Sequence, residues 1–158
     1  MKLTDFVQEA ALVPQLQATD RDGVVAELVD ALVEADAAPA GLRDDMVTEI
    51  IARENNGSTG FGKGVAVPHV KHDELPKMVA TIGLSDAGVD FNALDKAPVF
   101  AVVLLLSPRD KPDEHLQAME NIFANLQKDQ FRRFLRQAET KEAIMDLLQE
   151  ADAQRLSG

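Results

Sequence analysis

The chain has 158 residues, 46% of them hydrophobic and 27% charged, which provides material for one packed domain and excludes an intrinsically disordered chain. Sixteen Lys and Arg against 27 Asp and Glu leave a net charge of −11, so nucleic acid and anionic membrane surfaces are not expected as partners. Cysteine is absent, which removes disulfides, thiolate nucleophiles and Cys-ligated zinc.

Residues 1–9 interleave Asp5 and Glu9 with apolar side chains and lack the basic-then-apolar layout of a signal peptide. Apolar spacing then predicts a helix over 21–36, where Val24, Val25, Leu28, Val29, Leu32 and Val33 form a stripe, with Thr19 or Asp20 as its N-cap. A second helix is expected over 42–54, carrying Met46, Val47, Ile50 and Ile51. Pro39 and Gly41 separate the two. The character changes at residues 57–64, a loop with four glycines in eight residues, which runs into Val65, Ala66 and Val67 and then Pro68 and His69. Strands are expected there and over 78–84 and 98–106, the last apolar on both faces and therefore central, with turn-rich sequence around Asp86, Ala87 and Gly88. From Pro112 the spacing is helical again, followed by helices over 131–137 and 140–150 with Asp129 and Thr140 as N-caps.

These elements predict an α/β fold: a single domain over 1–158, structured over about 3–150, with a mixed β-sheet of about five strands flanked by helices on both sides. The longest apolar run, 98–106, is far shorter than the roughly 20 residues of a membrane helix. The expectation is a cytoplasmic protein with no direct membrane insertion.

Gly57 to Lys63 reproduces the spacing of a nucleotide-binding P-loop, but Gly64 stands where that motif needs Ser or Thr for magnesium, and a strand rather than a helix follows. Nucleotide hydrolysis is therefore not expected. The glycines make a tight turn, and they also allow backbone N–H groups to approach an anion beside the histidine that follows.

Without Cys, histidine is the natural carrier of a transferable phosphoryl group, because the neutral ring has a nucleophilic nitrogen near neutral pH. The chain has three, His69, His72 and His115. Pro68 fixes the backbone before His69 at the end of an apolar strand, a position suited to chemistry at a sheet rim. His72 lies between Lys71 and Asp73 and is expected on a solvated loop. His115 falls at the start of the helix opened by Pro112, where it could donate to a phosphoryl oxygen or remain a partly exposed helix residue. Arg53 ends its helix, either satisfying the helix dipole or offering a planar fork of donors to phosphate. No metal-ligand pattern is apparent, and neither a metal nor another cofactor is expected.

The run from Arg53 and Glu54 through Gly57, Ser58, Thr59, Gly60, Phe61, Gly62, Lys63, Gly64, Val65, Ala66, Val67 and Pro68 to His69 resembles the signature of fructose- and mannitol-type enzyme IIA domains, including their nitrogen-regulatory branch. The resemblance continues through Val89, Asp90 and Phe91, residues 98–108, and His115 and Leu116. It implies a mixed sheet flanked by helices, phosphorylation of His69, a second active-site histidine at His115, an active-site arginine at Arg53, and phosphate contacts from Gly57, Ser58, Thr59, Gly60 and Gly62. It further implies that the phosphoryl group arrives from HPr, a small phosphocarrier protein, and leaves for an enzyme IIB. The chain departs from the family pattern at Val70 and Lys96, outside the motif core. It carries no appended IIB or IIC segment, so partners are expected in trans.

The leading expectation is a phosphotransferase component that feeds sugar transport. The main rival is a regulatory module of the same fold that controls a kinase, transporter or other target by phosphorylation-dependent docking. A metal-dependent hydrolase built on His69 and His115 lacks a carboxylate ligand set.

Overall fold

The computed structural model describes residues 1–154. Their elements are α1 (Leu3–Phe6), a 3-10 turn (Glu9–Ala11), α2 (Arg21–Glu34), a second 3-10 turn (Ala40–Leu42), α3 (Arg43–Asn55), β1 (Val65–Ala66), β2 (His69–His72), β3 (Val79–Val89), β4 (Val99–Pro108), α4 (Pro112–Leu126), α5 (Asp129–Gln137) and α6 (Lys141–Asp152).

The apolar run over 98–106 is the central strand that its composition predicts. β4 pairs antiparallel with β3 along one edge and parallel with both β1 and β2. β1 and β2 act as one interrupted strand, since Val65 lies opposite Ala101 and His69 opposite Leu105 in an unbroken register. Pro68 causes the interruption because it has no N–H to give to the ladder, although its carbonyl still accepts from the Leu105 amide at 3.0 Å.

The sheet therefore has four strands, not about five. What would have been a fifth is the N-terminal segment, which touches β3 only through isolated bridges at Val7–Ala80, Val13–Gly83 and Asp20–Asp90. Helical turns at α1 and Glu9–Ala11, followed by Pro14, prevent a continuous ladder there. The expected turn at Asp86–Gly88 is also absorbed into a strand: β3 runs through it with a register shift between Leu84 and Val89, and Gly88 takes the positive φ of 90° that this irregularity needs.

Strand alternation sorts the sheet residues onto two cores. Val65, Val67, Ala101, Val103 and Leu105 face α1, α4, α5 and α6, whereas Ala66, Val70, Val102, Leu104 and Leu106 face α2 and α3. Helices thus cover both faces, as predicted. Asp20 caps α2 by accepting from the Gly23 amide at 2.8 Å, and Thr140 caps α6 by accepting from Ala143 at 3.0 Å. Asp129 is not an N-cap; Lys128 holds that position, and Asp129 begins α5, where its charge suits the helix dipole.

Candidate functional site

β2 begins at His69 and is only half-buried there, so the imidazole stands at the sheet rim on the α4 side. Its Nδ1 lies 2.8 Å from the Val67 carbonyl oxygen, two residues back across Pro68. A carbonyl can only accept, so Nδ1 carries the proton and Nε2 carries the lone pair. The tautomer of His69, which the sequence leaves open, is thereby fixed by the backbone bend that Pro68 enforces.

His115 reaches the same place from the first turn of α4. It is buried, its Nδ1 is 2.7 Å from Ser107 Oγ, and its ring centroid is 5.6 Å from that of His69 with the planes tilted by 54°. Ser107 stands opposite Lys71 in the β2–β4 register, on the sheet face that also carries Leu105 and His69. Desolvation pushes the His115 imidazole from the usual 6.5 down to about 4, helped by the neighbouring His69 and Lys71. Desolvation also lowers His69; the bond to Val67 works against this, Arg53 and Lys71 add to it, and Glu54 opposes it. Both rings are therefore held neutral around pH 7.

Arg53 occupies the last turn of α3 and is exposed, with one guanidinium nitrogen donating to the Gly57 carbonyl at 2.7 Å. That bond ties the helix end to the start of the glycine loop, and the charge is close enough to act on His69. The structure thus brings His115 beside His69 and the Arg53 charge within reach of it.

The loop is shaped from beneath by Glu54. This carboxylate is 3% exposed; Oε1 accepts from the Thr59 amide at 3.0 Å, while Oε2 is buried without a hydrogen-bond partner among the described residues. The Gly60 amide is bonded to Ser58 Oγ at 3.0 Å. The amides of Thr59 and Gly60 are therefore spent inside the loop. A Cβ on Gly60 would sit 2.9 Å from that of Ala93, and Gly62 has a φ of 110°, so both positions require glycine, one for space and one for conformation.

Sequence reasoning missed the roles of Glu54 and Lys71, although signals for both were present. Glu54 continues the buried stripe of Met46 and Ile50 at four-residue steps, which marks it as a buried charge rather than a surface one. Lys71 is two residues beyond His69 on a strand and so shares its face.

His72 departs from expectation. It lies in β2 rather than on a solvated loop, 7% exposed on the α3 side, with Nε2 2.6 Å from Asp45 Oδ2. Nδ1 accepts from the Glu74 amide at 3.0 Å, so Nε2 holds the proton and donates it to Asp45. Asp45, Glu49 and His72 bring three potential ligand atoms within 4.8 Å of one another. A metal would need the lone pair on Nε2, and the tautomer that supplies it would set an Nδ1 proton against the Glu74 N–H. The group reads as a structural hydrogen-bonded pair with a neighbouring carboxylate.

Among the described residues, no helix is long and apolar enough to cross a membrane.

The chain is similar in sequence and in fold to known proteins. The sequence model of a family described as phosphoenolpyruvate-dependent sugar phosphotransferase system, EIIA 2, matches residues 5–151. A nitrogen regulatory protein of Bradyrhizobium diazoefficiens is 32% identical over 149 residues, covering 94% of this chain and 95% of that protein. The fructose-specific EIIABC component of the phosphotransferase system of Bacillus subtilis is 28% identical over 152 residues, which is 96% of this chain and 24% of that protein. The crystal structure of the nitrogen regulatory protein IIA-Ntr from Neisseria meningitidis has a TM-score of 0.80 at 25% identity, covering 91% of this chain and 97% of that one.

Proposed function

Because the chain belongs to the EIIA 2 family of the phosphoenolpyruvate-dependent sugar phosphotransferase system, we propose that it is a cytoplasmic phosphoryl carrier that accepts the group on Nε2 of His69 from the phosphohistidine of an HPr-type protein. The observation that carries this reading is the 2.8 Å contact from His69 Nδ1 to the Val67 carbonyl, which leaves the Nε2 lone pair available.

In the transfer, the donor's N–P bond breaks as the Nε2–P bond forms, and the departing imidazole takes back its electron pair. His69 becomes more cationic as it acquires the phosphoryl group, and its Nδ1–H then bonds more strongly to Val67. Such a step needs positioning and neutralisation of the phosphoryl oxygens more than covalent assistance. Arg53 supplies a fixed positive fork. When Ser107 donates its hydroxyl proton to Nδ1 of His115, Nε2 of that ring carries a hydrogen and donates toward the phosphoryl group. In the glycine loop, Gly57, Ser58 and Gly62 flank the group. Thr59 and Gly60 contribute by holding the loop's shape, since their amides are already bonded. No metal or cofactor is needed in this scheme.

The onward acceptor is an enzyme IIB. The EIIABC relative carries an A, a B and a C part by its name, and this chain spans 24% of its length. A second reading, a regulatory module whose docking changes with phosphorylation, is supported by the near full-length match to a nitrogen regulatory protein.

Incubation with phosphoenolpyruvate, enzyme I and HPr tests the proposal. An acid-labile adduct that disappears in His69→Ala supports it, and no adduct from a competent donor refutes it. Transfer onward to a IIB protein favours transport, whereas a target whose binding changes with phosphorylation and no IIB acceptor favour regulation.

A further inference from the structure

Positive charge is scarce on this acidic chain, yet it is concentrated beside the glycine loop on the α5 side. Lys63, Arg132, Arg133 and Arg136 line one open cleft of about 480 Å3, together with Asp129 and Gln137. Asp129 is paired with Arg132, which also donates to the Leu126 carbonyl at 2.7 Å. Among the described residues, Lys63, Arg133 and Arg136 form no ion pair. Lys63 donates to the neutral Gln127 side chain at 3.0 Å, while the Arg133 guanidinium lies 5.3 Å from the ring centre of Phe134 and that of Arg136 lies 3.7 Å from the ring centre of Phe100.

A guanidinium over a ring uses its face and keeps its N–H donors, which lie in its plane, for another partner. Stacking also restricts the side chain in advance, so less rotamer entropy is lost when an anion arrives. The cleft's volume falls within the roughly 300–1,000 Å3 of small-molecule sites. Its charge contrasts with the net −11 of the whole chain. An acidic protein docking here would also meet the carboxylates that dominate the rest of the surface. A small ligand would stay within about one Debye length, roughly 8 Å at physiological ionic strength, of the cations it touches.

We propose that this cleft binds a small polyanion, a molecule carrying two or more phosphate groups, at a site separate from His69. Lys63 meets one phosphate from the loop side, and Arg133 and Arg136 meet the other from α5. None of these three residues belongs to the phosphoryl-transfer set described above, so this site stands or falls independently of that function.

The test is a 15N NMR titration of the full chain with inorganic pyrophosphate, with orthophosphate and hexaglutamate titrated in parallel. The expected result is a saturable set of shifts centred on Lys63, Arg132, Arg133 and Arg136. Orthophosphate should bind more weakly, and the double variant Arg133→Gln/Arg136→Gln should weaken pyrophosphate binding about tenfold or more while keeping a wild-type spectrum elsewhere. Non-saturable shifts, shifts confined to His69 and Arg53, or undiminished binding in the double variant would overturn the site. Tighter binding of hexaglutamate than pyrophosphate would overturn the ligand class and point to an acidic protein segment.

Discussion

His69 and His72 are three residues apart on the same short strand, yet the fold gives them opposite chemistry. Strand alternation sends His69 toward α4 and His72 toward α3. His69 has one nitrogen tied to a backbone carbonyl and, among the described residues, no partner on the other, which leaves that lone pair available to an electrophile. His72 has both nitrogens engaged, one by the Glu74 amide and one by Asp45, which makes it a structural bridge between β2 and α3. Burial does not separate the two roles, since His115 is as buried as His72 and lies in the candidate site. The decisive difference is what the second nitrogen faces.

The strongest way to break this contrast is substitution of each histidine in turn. His69→Ala should eliminate the phosphoryl adduct, whereas His72→Asn should keep it and lower the thermal midpoint; gel assay of the acid-labile label decides. Next in size, Arg53→Ala and His115→Ala should each retain the attachment atom while slowing phosphoryl acceptance by about 10²-fold, the cost typical of removing one preorganised donor, in single-turnover kinetics. Glu54→Ala should cost about 1–3 kcal/mol in denaturant unfolding by leaving the buried Thr59 amide without an acceptor. Glu54→Gln keeps an acceptor there and should be milder, while lowering the His69 pKa because the carboxylate that raises it is gone. Asp45→Ala should cost only about 1 kcal/mol, and phosphorylation should be unaffected, since the pair lies on the other face of the sheet.

A pH series sharpens the same contrast. The folded His115 pKa of about 4 lies below its ordinary value of 6.5, so the unfolded chain binds more protons between those values. The stability that this neutral burial represents is complete above about pH 6.5 and is lost as pH falls toward 4. His115→Gln should flatten the slope of unfolding free energy against pH across that window.

The fold was largely legible in the sequence because its signals were local. The apolar stripe of α2, the unbroken apolar run of β4 and the caps at Asp20 and Thr140 each depend on neighbouring residues. What was not legible depends on pairing across the chain. The N-terminal segment lies along β3 through isolated bridges that no periodicity records, and the turn signals at Asp86–Gly88 were absorbed because β4 supplied a partner strand. At the candidate site, inventory pointed to His69, and the family motif pointed to His115 and Arg53 as its neighbours. His72 was misplaced because its polar neighbours suggested a loop, whereas the register with β4 carries the strand past it to Pro108.

We propose phosphorylation at Nε2 of His69, the nitrogen that the bond from Nδ1 to the Val67 carbonyl leaves with its lone pair. The most direct measurement is 15N–31P coupling in the phosphorylated protein carrying 15N-labelled histidine. The expected result is coupling to Nε2 of His69 alone, with its Nδ1 proton still present and hydrogen-bonded. Coupling to Nδ1 of His69, or to either nitrogen of His72 or His115, would contradict it.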